Sequence, residues 1–167
     1  MLQRDYPEQV CSIARSLEVV GERWTLLILR DAVLGLTRFE DFQESLGIAS
    51  NVLTNRLKLL CDEGVLERVP DPERPGRPKY VITDKGRELA PALIVLMKWG
   101  DRYYPTPKGP PRLTLHVGCG GNVGPDFRWD RCGKAIGRGE LDLVPGPGAS
   151  GPASVRRRSR ANRSTSA

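Results

Sequence analysis

The sequence predicts a mainly α-helical domain carrying one small β-hairpin, followed by a small Cys/Gly-rich C-terminal appendage. Three observations predict it. Apolar residues recur at helical spacing through residues 10–104, with few Gly or Pro inside the runs. Within that region two short β-prone runs flank the Pro/Gly-rich loop DPERPGRP. Beyond it the run PTPKGPP, in a linker at 105–112, leads into a stretch at 113–145 where Cys and Gly gather.

Ser12 is the expected N-cap of a first helix carrying Ile13, Leu17 and Val20, which Gly21 interrupts. In RWTLLILRDAVLG, Trp24, Leu27 and Ile28 share one face and Leu26, Leu29 and Val33 cover the opposite one. Only Arg30 and Asp31 break that apolar surface, so this second helix should be largely buried and end at Gly35. Thr37 and Glu40 have the spacing of a capping box, and Phe39, Phe42 and Leu46 place a third helix on the core.

Gly47 ends the third helix, and Ser50 is the expected cap of the next, over residues 50–63. There Leu53, Leu57 and Leu60 repeat at i, i+4 and i+7. Two short helices joined by LGIAS, the second amphipathic, have the spacing of a helix-turn-helix. Asn51, Thr54, Asn55 and Lys58 then fall on the face away from the leucines. VLERVP and KYVIT form the hairpin, spanning 65–82, and its loop carries arginines. Thr83 caps a long final helix, DKGRELAPALIVLMKWGDRYY, which Pro91 should kink or restrict.

Charge supports a nucleic-acid partner less than its total suggests. The net +6 is uneven: residues 1–105 hold 15 Lys and Arg against 16 Asp and Glu, whereas residues 106–167 hold 11 against 4. The basic excess lies in the tail at 146–167, which has few apolar residues and reads as disordered. Its arginines, Arg156, Arg157, Arg158, Arg160 and Arg163, are as well explained by a solvated tail as by nonspecific attraction to DNA. No apolar run reaches the roughly 20 residues that cross a bilayer. The N-terminal MLQRDYPEQVCS has no apolar signal core, so a cytoplasmic chain with reduced thiols is expected.

The segments CSIARSLEVVGERWTLLILRDAVLG, TRFEDFQESLGIASNVLTNRLKLLCDEGVLERV and PERPGRPKYVITDKGREL together resemble the HxlR family of winged helix-turn-helix regulators. The resemblance is colinear over residues 10–104. It implies a bacterial or archaeal DNA-binding transcriptional regulator of MarR-like fold, usually a homodimer on a pseudo-palindromic operator. The terminal helices would then build the dimer interface.

On that reading the helix at 50–63 enters the major groove. Asn51 and Asn55 match adenine edges, Ser50 and Thr54 suit bases or phosphates, and Lys58 suits a phosphate or guanine. Arg56 would project to the flank and reach the DNA backbone. The hairpin is the wing, with Arg68, Arg74, Arg77 and Lys79 as its candidate DNA contacts. Read alone, such a polar face is more simply a solvated surface. The capped turn, the following hairpin and the resemblance together outweigh that.

Four cysteines need separate readings. Cys11 stands where relatives in the resembling family carry a cysteine, some of them redox or electrophile sensors, which makes it a redox-sensing candidate. A small residue at the domain edge is the simpler reading. Cys61 lies beside the leucine stripe and reads as packing. His116, Cys119 and Cys132 resemble part of a zinc-ribbon knuckle whose remaining cysteine position is Trp129. Water or Asp130 would have to supply a fourth ligand, so the expectation is a degenerate knuckle that holds zinc weakly or not at all. Leu115, Phe127, Trp129 and Ile136 would pack it.

An enzyme is not expected. The only histidine is His116, and neither a phosphate loop nor a nucleophile motif is present. No cofactor other than zinc is suggested. A small effector is left open by the sequence, and the competing reading is a winged helix that binds a protein partner instead of an operator.

Overall fold

The protein is described by a computed structural model over residues 11–124, 127–135 and 141–147. Four helices come first: α1 (Ser12–Val20), α2 (Arg23–Val33), α3 (Phe39–Leu46) and α4 (Ser50–Asp62). The hairpin β1 (Leu66–Pro70) and β2 (Pro78–Ile82) follows, then the single turn α5 (Asp84–Arg87) and α6 (Ala90–Tyr103). A second antiparallel pair, β3 (Arg112–His116) and β4 (Leu141–Pro145), belongs to the appendage. None of the described helices is long and apolar enough to cross a membrane.

One core joins the helices to the hairpin. Ile28 and Leu29 of α2, Phe42 of α3, and Leu53, Leu57 and Leu60 of α4 are fully buried in it, with Val65 and Leu66 closing the side nearest the hairpin. Helix α2 is central because both of its faces are apolar. Its acid, Asp31, is buried as well and is paired with Arg30 at 2.8 Å. Cys61 is packed against the core, and burial pushes its thiol up from the ordinary value.

The turn between α3 and α4 depends on Gly47. It ends α3 in the left-handed region, at φ 60°, where a side chain would be strained, and its amide donates to the Gln43 carbonyl. Ile48 of the turn is buried, so the turn is packed as well as hydrogen-bonded.

Three helix starts differ from the sequence expectation by one residue. Cys11, Arg38 and Ala49 hold the extended N-cap conformation before α1, α3 and α4, and none makes a side-chain cap. Ser12 and Ser50 are therefore the first helical residues. Their carbonyls accept from the hydroxyls of Ser16 and Thr54. Thr37 does not close a capping box: the N-cap of α3 is Arg38, and the Thr37 carbonyl accepts from the amide of Tyr80 in β2 at 2.7 Å. Glu40 turns instead to the hairpin arginines.

The long final helix is split. Thr83 does cap its start, accepting from the Gly86 amide at 3.1 Å, but α5 stops at Arg87. Continuing the helix would need an amide at Pro91 to meet the Arg87 carbonyl, and proline has none. Pro91 instead sits in the first turn of α6, where a missing amide costs nothing.

The hairpin ladder runs from Leu66 opposite Ile82 to Pro70 opposite Pro78. On its far side β2 meets Arg38 through a bridge at Lys79. The start of α3 thus acts as a short third strand and fixes the hairpin to the helix pair.

In the appendage Trp129 is fully buried, whereas Phe127, expected to pack it, is 40% exposed. The Phe127 amide donates to the Gly124 carbonyl at 3.2 Å, and Phe127 itself is left-handed at φ 60°. Ile136 lies outside the described residues. Gly146 and Pro147 are the last described residues, with the Gly146 amide donating to the Pro111 carbonyl. The tail arginines lie outside the described residues.

Candidate nucleic-acid interface

Burial of Leu53, Leu57 and Leu60 decides what α4 shows to solvent. Ser50, Asn51, Thr54, Asn55 and Lys58 are all exposed. Asn51 Oδ1 accepts from the Val52 amide at 2.9 Å, which orients the side chain and leaves its NH2 group outward. Thr54 Oγ1 donates to the Ser50 carbonyl at 2.8 Å, so its oxygen remains available as an acceptor. Lys58 leans along the helix to Asp62, at 2.5 Å. Because Ala49 has no capping side chain, the first turn of α4 directs backbone donors and the positive end of its dipole outward.

Arg56 is placed differently from its neighbours. Only 17% of its side chain is exposed, and it faces Glu22 at 3.7 Å, too long for a hydrogen bond. Glu22 also accepts from the Trp24 amide at the start of α2. Arg56 therefore ties α4 to α2, on the side away from the exposed polar face.

The hairpin cations are mostly engaged. Lys79 reaches the buried carboxylate of Asp71 at 3.0 Å, and Arg38 meets the same carboxylate at 2.9 Å while also pairing with Glu73. Burial alone would push the Asp71 carboxyl up. Lys79, the Glu73 amide and Arg38 outweigh it and hold the group at about 2. Arg77 and Arg74 both pair with Glu40 of α3. Glu40 is lowered in turn, first by its own backbone amide and then by Arg77. Arg68 on β1 is exposed and makes none of the ion pairs found among the described residues.

Sequence reasoning missed Arg38, Glu40, Asp71 and Glu73 as the set that seats the hairpin. The partners lie more than 30 residues apart, so no local pattern announces them. The one available signal was the acid pair Asp71 and Glu73, placed at the end of a strand in a loop that also carries Arg74 and Arg77.

Cys11 is exposed at the start of α1, and its carbonyl accepts from the Arg15 amide at 3.2 Å. His116, Cys119 and Cys132 are drawn together in the appendage, with their donor atoms all within 4.8 Å of one another. Asp130 is not among the converging groups; its Oδ1 accepts from the Asn122 amide at 2.8 Å.

Comparison with known proteins agrees with this geometry. An HTH-type transcriptional regulator of Mycobacterium tuberculosis is 44% identical over 137 residues, covering 82% of this chain and 87% of its own length. The regulator YvaP of Bacillus subtilis is 37% identical over 90 residues, covering 53% of this chain and 83% of its own. Among solved structures, PA1607, a candidate transcription factor, is 38% identical with a TM-score of 0.57, covering 92% of this chain and 96% of that one. The redox regulator HypR in its reduced form is 25% identical with a TM-score of 0.53, covering 56% of this chain and 94% of its own. The profile of HxlR-like helix-turn-helix proteins matches residues 19–108, the stretch that holds α2 through α6. With α3, the Gly47 turn, α4 and the hairpin arranged as described, this chain belongs to the HxlR-like helix-turn-helix family.

Proposed function

We propose that this protein regulates transcription by binding double-stranded DNA as a homodimer, with α4 in the major groove and the β1–β2 hairpin as a wing beside it. One observation carries the reading. The three α4 leucines are buried completely, and the residues left outside include the short hydrogen-bonding groups Ser50, Asn51, Thr54 and Asn55 at helical spacing. Asn55 offers a paired donor and acceptor suited to adenine, Asn51 presents its NH2 donors beside it, and Ser50, Thr54 and the uncapped helix start suit phosphates. In the wing, Arg68 is the cation placed for direct contact. Lys79, Arg74 and Arg77 serve first to hold the wing in position, and Arg56 supports α4 from behind.

Dimerisation is supported by apolar surface on the terminal helices. Ile13 of α1 is 70% exposed and Trp99 of α6 is 51% exposed, and Leu17, Val95, Leu96 and Tyr103 are exposed beside them. A stripe of this kind on a single chain marks a surface for association. A two-fold pair would set two α4 helices about 34 Å apart, one turn of DNA, and would require a matching two-fold operator.

The test uses the full chain and a duplex from upstream of its own gene, followed by fluorescence anisotropy across a salt series, with sedimentation to count protomers. Specific binding by a dimer that falls steeply with salt is expected. A monomer, or no preference over a scrambled duplex at low salt, would instead favour a winged helix that docks on a protein partner.

A further inference from the structure

The appendage contains the same turn twice. In the first, the His116 amide donates to the Gly121 carbonyl at 2.8 Å and the Gly120 amide returns to the His116 carbonyl at 2.8 Å. In the second, the Trp129 amide donates to the Lys134 carbonyl at 3.0 Å and the Gly133 amide returns to the Trp129 carbonyl at 2.8 Å. Both turns close on a left-handed glycine, with φ 65° at Gly120 and 67° at Gly133. Each also carries a cysteine at its fourth position, Cys119 and Cys132. Two matched turns therefore present four equivalent positions to one centre. Three hold donors, and the fourth is Trp129.

The donors converge. His116 Nδ1 lies 3.1 Å from Cys119 Sγ and 3.5 Å from Cys132 Sγ. A tetrahedral zinc ion, with Zn–N about 2.0 Å and Zn–S about 2.3 Å, would set such atoms about 3.5 Å apart. The imidazole is 5% exposed and stacked on Trp129, with ring centroids 4.9 Å apart and planes 21° from parallel. Stacking fixes the ring plane, as an outer-shell partner does for a metal-bound histidine.

The geometry points to a metal site in which His116, Cys119 and Cys132 bind one thiophilic divalent cation, zinc by chemistry, through three protein donors and one exchangeable position. Two thiolates balance the 2+ charge, so the occupied centre is neutral and tolerates its partial burial. Binding displaces the two thiol protons into solvent. Sulfur and imidazole donors together select zinc over oxygen-seeking cations such as magnesium or calcium. Indole nitrogen only donates hydrogen bonds, so Trp129 supplies no fourth ligand. With Asp130 outside the converging group and hydrogen-bonded to the Asn122 amide, that position falls to water or a small anion. This makes the centre different from a closed structural knuckle.

The site also has a route to the rest of the molecule. Trp129 and Val123 pack with Ile94 of α6 in one buried cluster against which Cys119 lies, and Lys98 of α6 reaches Asn122 Oδ1 at 3.2 Å. Metal binding would therefore stiffen a ribbon seated on α6.

The test is cobalt titration of the full-length, reduced, metal-free protein, with zinc as competitor. One equivalent of cobalt should produce sulfur-to-cobalt charge-transfer absorption and four-coordinate visible bands, which one equivalent of zinc abolishes. Cys119→Ser and Cys132→Ser should each weaken binding by more than the roughly 10–100-fold that follows loss of an outer-shell partner. Added azide should shift the visible bands. Substoichiometric binding, unchanged affinity in both variants, or a Cys119–Cys132 disulfide forming equally fast with zinc present would overturn the site. Bands indifferent to azide would overturn its open position.

Discussion

The exposed face of α4 and the wing beside it are both polar, and they differ in what their side chains are already doing. On α4, Asn55 and its neighbours are short and mostly uncharged, and the helix below them is held by three fully buried leucines. In the wing, Lys79, Arg74 and Arg77 are paired with Asp71 and Glu40, and Arg38 joins from the start of α3. A surface that reads bases keeps its hydrogen-bonding groups outward and fixes its backbone from beneath. A surface that must be held in place uses its charges on itself. The lesson is that a cation in an arginine-bearing loop is not by itself a phosphate contact.

Breaking the foundation of α4 should have the largest effect. Leu57→Ala removes a fully buried side chain and should cost about 2–5 kcal/mol of stability, measured by urea unfolding, with DNA binding lost as the fold loosens. Asn55→Ala should instead leave the unfolding midpoint unchanged and weaken specific binding by about 1–3 kcal/mol, roughly 5- to 150-fold. Unchanged affinity would remove α4 from base reading.

Asp71→Asn sharpens the comparison, because two accounts of the wing disagree about its sign. If wing charge were what mattered, removing an acid would tighten DNA binding. If the acid holds the wing in position, binding should weaken several-fold and the Tyr80 amide should exchange faster. The same residue gives a pH test. With its carboxyl held at about 2 in the folded chain against an ordinary 3.8, its contribution is complete above about pH 4 and is lost as pH falls through about 2. The stability difference between the wild type and Asp71→Asn should therefore be constant near neutrality and shrink over that acid window.

The smallest effect is expected at Arg68. Arg68→Ala should lower the slope of log affinity against log salt by about 1, the signature of one lost phosphate contact. Lys79→Ala should leave that slope nearly unchanged.

What the sequence revealed follows from the range of the interaction concerned. Leu53, Leu57 and Leu60 announce a buried face because periodicity is local, and the exposed set on α4 follows from it by geometry. Gly47 and Pro91 are legible for the same reason, since each acts through its own backbone. Ser12, Thr37 and Ser50 mislead by one residue because a cap depends on a single extended residue, and Thr37 is drawn into a backbone hydrogen bond with a distant strand. The engagement of Arg74 and Arg77 was invisible, since their partner Glu40 comes from another part of the chain, and that of Lys79 with Asp71 depends on how the hairpin closes. Within the appendage the spacing of His116, Cys119 and Cys132 was readable, but the repetition of one hydrogen-bonded turn around them appears only in three dimensions.

The prolines at the end of the wing ladder have a consequence for solubility. A two-stranded ribbon exposes unpaired backbone along its margins and can template further strands from other chains. Here one margin is occupied by Thr37 and Arg38, and the ladder closes on Pro70 opposite Pro78, which have no amide hydrogens to offer. The other margin carries the charged, exposed Glu67 and Arg68. Copies of this protein crowded together along DNA thus have little opportunity to zip into a continuous sheet through their wings.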